Sequence, residues 1–163
     1  MLKKLNKEDL GLIQEFLPKI DDDFAENKDI NASPWKFIDE IHFQFFADIS
    51  NNRINAVMVK SVHESSEHLN FLYVLQELRA QGIGHQLLNY FIESRSKNML
   101  TIHIRKELKR TVRFYRKFGF TLTNQEDNHN EILSAWVDKC LKYNPNTYCV
   151  NMLMNQHFDQ AVN

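Results

Sequence analysis

Glycine is scarce in this chain: four in 163 residues, beside three prolines and two cysteines. What is missing narrows the classes open to it. Cys140 and Cys149 are too few and too close to build a disulfide framework, and no Cys/His spacing marks a zinc site. No apolar run approaches the roughly 18 residues of a membrane span. Excess charge of one sign is missing too. Twenty basic against 21 acidic residues leave a net charge of -1, so no global basic field draws the chain to nucleic acid or an anionic membrane. The opening MLKKLNKEDL has neither the apolar segment nor the small-residue cleavage site of a secretory leader. The expectation is a soluble, reduced, cytoplasmic protein with no metal, nucleic-acid or membrane partner. At 43% hydrophobic and 25% charged, the length fits a single domain over 1–163 with a sizeable core.

Taken in order, Leu2 to Leu5 reads as a first strand. Asn6 can cap a helix whose apolar positions Leu10, Ile13, Phe16 and Leu17 follow helical spacing, ending before Pro18. Asp21, Asp22 and Asp23 form an acidic turn, read as solvated loop rather than metal site. Ser33-Pro34 opens a second short helix with Trp35, Phe37, Ile38 and Ile41. In 43-FQFFADISNNRINAVMVKSV-62, two strand-like runs flank Asn51-Asn52, whose side chains tolerate positive φ, so a hairpin is expected. The run 69-LNFLYVL-75 reads as a buried strand beside it. Gly82 to Asn98 carries Ile83, Leu87, Leu88, Phe91 and Ile92 on one helical face. Met99 to Ile104 is a further strand, and 107-ELKRTVRFYRK-117 a helix ended by Gly119. Strands beginning at Phe120 and spanning Tyr148 to Met154 complete a mixed α/β sheet.

Two of the four glycines stand one residue apart, in 78-LRAQGIGHQLL-88, between a strand and a helix. Glycine there permits positive φ and lets a ligand touch backbone, while the helix start offers free N–H groups and a positive dipole end. Together these suit a phosphate or pyrophosphate. A dinucleotide fingerprint needs a third glycine where Leu87 stands, and an ATPase phosphate loop needs Lys-Ser/Thr where His85 and Gln86 stand. What remains is Arg79-x-x-Gly82-x-Gly84. Downstream, 114-FYRKFGF-120 places an aromatic pair at a helix end before Gly-Phe.

The stretches 71-FLYVLQELRAQGIGHQLL-88 and 114-FYRKFGF-120 together closely resemble the two motifs of the GNAT superfamily of N-acetyltransferases. The order of elements fits from residue 1 to about 123, and again at the last strand. The resemblance implies an α/β (α+β) fold with a mixed, mostly antiparallel sheet flanked by helices and splayed between its fourth and fifth strands. It implies acetyl-CoA as co-substrate and an amine-bearing small molecule, peptide or protein as acceptor. Coenzyme A's pyrophosphate is then expected on the N–H groups of Ala80, Gln81, Gly82, Ile83, Gly84 and His85, with Arg79 setting the loop. Its pantetheine arm is expected to pair with Leu72, Tyr73 and Val74, and the N–H near Val74 to stabilise the developing oxyanion. Three positions depart from the common pattern: Gln76 for Pro, Leu108 for a cofactor-contacting Asn, and Thr111 for Ala.

Acetyl transfer to an amine needs a neutral nucleophile, donors for the tetrahedral intermediate and a proton for the departing thiolate. Tyr115 sits where the family keeps its acid; on residue type alone it reads as a core aromatic beside Phe114. For the base, His103 matches the glutamate of the ribosomal-protein N-terminal acetyltransferases, and His68 that of the histone-acetyltransferase branch. A histidine near pKa 6.5 suits either position, and a water chain could replace both. Ser33-Pro34-Trp35 resembles a Pro-Trp of acceptor-side helices, with a core tryptophan as the plainer reading. A coenzyme A-binding module without turnover is the alternative function; a toxin acting on aminoacyl-tRNA is disfavoured by the charge balance. Finally, 130-NEILSAWVDKCLKYNP-145 shows helical spacing at Ile132, Leu133, Trp136, Val137, Cys140 and Leu141. A helical insertion is expected there, docked on the core, roofing the acceptor cleft or forming a homodimer contact.

Overall fold

The computed structural model describes residues 1–105, 108–122 and 130–136. The elements are β1 (Leu2–Leu5), α1 (Leu10–Phe16), β2 (Phe43–Ser50), β3 (Arg53–Val62), β4 (Ser66–Val74), α2 (Ile83–Glu93), β5 (Met99–Arg105), α3 (Lys109–Arg116), β6 (Thr121–Leu122) and β7 (Asn130–Trp136). Among the described residues they build one seven-stranded sheet in the order β1-β2-β3-β4-β5-β7-β6. Only β4 and β5 run parallel; the other pairs are antiparallel. The expected mixed, mostly antiparallel sheet is the one observed.

Local chemistry explains the early elements. The Asn6 side chain accepts from the Glu8 N–H at 2.7 Å while Asp9 accepts from the Asn6 N–H at 3.1 Å, a capping box that starts the first helical turns. Asn51 and Asn52 both take positive φ, 49° and 56°, as the tight β2–β3 hairpin requires. Trp35 opens a 3₁₀ turn rather than a helix; it is buried, and its indole N–H donates to the Asn27 carbonyl at 2.6 Å. Ile41, expected on that helix's apolar face, is instead 87% exposed. After the 3₁₀ residues, Ile38 and Asp39 form a turn and Glu40 has no regular structure, so no helical face exists to carry Ile41 inward.

Residues alternate across β4 and divide the core in two. Phe71, Tyr73 and Leu75 face Ile13 and Phe16 of α1, with Trp35 and Phe45. Leu72 and Val74 face Leu87, Leu88 and Phe91 of α2 and Val112, Phe114 and Tyr115 of α3. Hence α1 covers one side of the sheet, and α2 and α3 the other.

The helix expected over 130–145 is corrected at its first half. Residues 130–136 form β7, whose backbone pairs with β5 from Met99↔Trp136 to Arg105↔Asn130 and with β6 at Thr121↔Ser134 and Leu122↔Leu133. A short apolar run such as Ile132-Leu133 does not separate helix from buried strand by period. The N–H and C=O groups on the far edge of β5 decide it, because β7 is what satisfies them. Residues 137–145 and the strand expected over 148–154 lie outside the described residues.

Candidate active site

The sheet opens at the end of β4. Pairing with β5 stops at Leu69↔Ile102, yet β4 runs on to Val74 and β5 to Arg105. On the other side β4 stays bound to β3 as far as Val74↔Ala56, and the Leu75 N–H reaches the Asn55 carbonyl at 3.0 Å. Backbone groups alternate along an antiparallel strand, so the Leu72 and Val74 groups point to the opposite edge, into the fork. The expected splay between the fourth and fifth strands is therefore present, with the peptide groups at Leu72 and Val74 on its open edge.

The loop follows at once. A 3₁₀ turn over Gln76–Leu78 leads to an extended Arg79, then to two left-handed residues, Ala80 at φ 62° and Gly82 at φ 84°. Left-handed backbone is costly for a residue with a Cβ, which is why Gly82 suits its position and Ala80 is strained. A side chain at Gly82 would meet no protein atom within 4 Å, so open space lies beside it. The first helical bond of α2 is Gln86 N–H to the Gly82 carbonyl at 3.0 Å, and no side chain caps this terminus. The N–H groups of Ile83, Gly84 and His85 thus have no intrahelical partner and lie at the positive end of the helix dipole.

Arg79 shapes the loop through three contacts. Its Nε donates to the Val74 carbonyl at 3.0 Å, and its Nη2 pairs with the Asp21 carboxylate. Its guanidinium lies 5.3 Å from the centre of the Tyr73 ring. Tyr73 closes the knot, its hydroxyl accepting from the Asp21 N–H at 2.8 Å. Burial pushes that phenol up to about 12, so it stays neutral. Asp21 was read from sequence as solvated; nothing local announces a partner 58 residues away.

A cavity of about 390 Å³ lies along this path, within the range of small-molecule sites. Val74, Leu78, Arg79, Ala80, Gly82, Ile83, Gly84 and His85 line it, joined by Arg110 and Lys117 of the α3 segment. Those two cations were missed in the sequence, where the basic pairs 109–110 and 116–117 were the available signal. The His85 ring sits edge-on to Phe114 at 5.0 Å and tilted to Phe118 at 5.3 Å. Partial burial, then the charge of Lys117, holds its pKa below the ordinary value. Tyr73 and Leu72 belong to the strand behind this cavity, both fully buried. Gln81 is exposed at the loop's tip and donates to the Glu77 carbonyl at 3.3 Å.

The expected catalytic residues are placed less evenly. Tyr115 is fully buried, packs on Phe114 and Phe120, and its hydroxyl has no hydrogen-bond partner among the described residues. Burial raises its pKa well above 10, so the phenol keeps its proton. It does not line the cavity. His68 is 2% exposed, its Nδ1 2.6 Å from the Thr101 hydroxyl across the paired part of β4 and β5. Thr101 donates to the Glu67 carbonyl at 3.3 Å, which lets its oxygen take a proton from Nδ1 and leaves Nε2 as the basic nitrogen. His103 lies one residue beyond Ile102, with its backbone at the open part of the fork and paired to Ile132. Leu108 packs against both halves of the core, so its apolar side chain is used in packing.

Known proteins share this fold. An N-acetyltransferase (PaiA) from Thermoplasma acidophilum, solved with coenzyme A, superposes with a TM-score of 0.67 at 17% identity, over 83% of this chain and 98% of that one. The ribosomal-protein-S18-alanine N-acetyltransferase of Escherichia coli gives 0.66 at 16% identity, over 83% and 92%. An aminoglycoside 6'-N-acetyltransferase solved with coenzyme A gives 0.68 at 13%, over 82% and 95%. These likenesses establish the fold. No curated protein sequence matches the chain. The family model "Acetyltransferase (GNAT) domain" matches residues 13–135, three quarters of the sequence, and so the chain belongs to the GNAT acetyltransferase family and is an acyltransferase.

Proposed function

We propose that the enzyme moves an acetyl group from acetyl-CoA to a primary amine of a small molecule, peptide or protein N-terminus, in the cytoplasm, by direct attack. The observation that carries this reading is that an uncapped helix start and an unpaired strand edge meet at one cavity. The N–H groups of Ala80 to His85 hold the pyrophosphate, while Arg79, already engaged by Val74 and Asp21, keeps the loop in shape. The open edge at Leu72 and Val74 pairs with the pantetheine amides, and the Val74 N–H donates to the acyl oxygen as charge develops there. Bound acetyl-CoA supplies an activated acyl carbon.

Tyr115 serves as the acid for the leaving sulfur, since burial keeps it protonated and nothing in the described structure occupies its hydroxyl. His103 serves as the base; His68 is its rival. A base is required because an amine with a pKa near 10.4 is well under one per cent neutral at pH 7. In the test, purified protein, acetyl-CoA and a panel of small amines, polyamines and peptides are followed by thiol release. Release that depends on a particular amine supports the reading. Tight acetyl-CoA binding without release across the panel would favour a binding module instead.

A further inference from the structure

One residue at the throat of the fork carries an acceptor that the fold leaves unused. Asn70 follows Leu69 in β4, at the point where pairing with β5 ends at Ile102. On its other side, β3 pairs Lys60 with Leu69 and Val59 with Phe71, so Asn70 is the extra residue of a β-bulge. The side chain is 1% exposed, and among the described residues its Oδ1 has no hydrogen-bond partner. An amide oxygen only accepts, and a buried one without a donor destabilises the fold. Bulges re-aim side chains and recur beside active sites. Carried one step further, the parallel register of β4 and β5 sets the Asn70 backbone opposite that of His103, at the first unpaired step of the fork.

Resting on the acetyl-transfer reading above, we propose that Asn70 holds the acceptor, its side-chain carbonyl taking an N–H from the amine at the throat of the fork. Coenzyme A has no donor to offer there, because that reading engages its amides at Leu72 and Val74 and a thioester carries no N–H. The donor therefore arrives with the second substrate. A neutral primary amine has two N–H bonds and one lone pair. Asn70 accepts one N–H and so aims the lone pair; His103 takes the proton of the other as nitrogen bonds to the acyl carbon and the thiolate leaves. A secondary amine has a single N–H and cannot serve both residues, so the arrangement selects primary amines.

Thiol release with benzylamine, spermidine and trialanine, each beside its N-methyl counterpart, is compared for the wild type, Asn70→Leu and Asn70→Asp. Leucine keeps the size and removes the acceptor; aspartate keeps the shape and an accepting oxygen. Asn70→Leu is expected to melt no lower than the wild type and to bind acetyl-CoA with unchanged affinity in calorimetry. It should nonetheless lose about 10–100-fold in kcat/KM for the best amine. Its preference for the primary amine over the N-methyl form should shrink too, which a structural role would not cause, and Asn70→Asp should retain more activity. A folded Asn70→Leu enzyme with unchanged kcat/KM and preference overturns the proposal and leaves water as the partner of Oδ1. A folded Asn70→Asp enzyme no better than Asn70→Leu overturns it as well. So does a lower melting temperature or weaker acetyl-CoA binding in Asn70→Leu, which would make Asn70 part of the fold or of the cofactor site. No amine-dependent release by the wild type removes the acetyl-transfer reading and this proposal with it.

Discussion

At the scale of single residues, the buried polar groups separate chemistry from support. Tyr115 has an unpartnered hydroxyl inside an aromatic cluster, a condition that costs about 1–3 kcal/mol unless something in the working complex uses it. Tyr115→Phe should therefore fold at least as stably as the wild type and lose about 10²–10⁴-fold in kcat, with acetyl-CoA affinity little changed. Near-wild-type turnover would reassign it to packing. Because burial raises its pKa, any alkaline limb of kcat due to this phenol should lie above pH 10. Lys60 and Glu67 show the supporting case. They pair at 2.8 Å and both are buried, with Glu67 also accepting from the Ser96 N–H at 2.6 Å and hydroxyl at 2.7 Å. Burial works to raise Glu67, but the bonds from Lys60 and Ser96 outweigh it and hold its pKa below the ordinary 4.5. A depressed carboxylate stabilises the fold above pH 4.5, and that contribution is lost as pH falls through the folded-state value. Urea denaturation should show it: Glu67→Gln costs roughly 3–5 kcal/mol at pH 7 and flattens the acid dependence, whereas Lys60→Met/Glu67→Leu recovers much of the loss.

At the scale of elements, the strand–glycine loop–helix unit was legible and its buttress was not. Strand, Arg-x-x-Gly-x-Gly and helix can be read in one window because every part of that signal is local. The structure divides the labour between the glycines: Gly82 supplies the left-handed turn, and Gly84 lies buried in the first turn of α2, lining the cavity. Ala80, left-handed without being glycine, gave no sequence signal. Ala80→Gly should relieve about 1–2 kcal/mol of strain against about 0.4–1 kcal/mol of added unfolded-chain entropy, for a net gain of about 0.5–1 kcal/mol in a thermal melt; a lower melting temperature would contradict it. The error over 130–136 has the opposite origin. Helical spacing was present, but the free edge of β5 needed a partner strand, and that need is set about 30 residues upstream where no window of periodicity reaches.

At the scale of the whole molecule, the N-terminal segment and the glycine loop after β4 are one mechanical unit. Asp21 joins them, fixing Arg79 through its carboxylate and Tyr73 through its backbone N–H. Asp21→Asn should raise the KM for acetyl-CoA about three- to tenfold with a smaller change in kcat, a modest effect because the pair is partly exposed. An unchanged KM would make the pair ornamental to binding. Apart from β7, the strands of the sheet were legible from the sequence, because their apolar runs are bounded by turn residues such as Asn51-Asn52. Contacts such as Asp21 with Arg79, or Arg110 across from the loop, were not, since they exist only once the sheet has brought distant segments together. The central claim is that the N–H groups at the start of α2 bind the pyrophosphate of coenzyme A. Isothermal titration of acetyl-CoA into the wild type and into Gly84→Val tests it most directly. The account predicts a saturable isotherm for the wild type and none for a variant whose circular dichroism shows it folded. Unchanged affinity in that folded variant would contradict it.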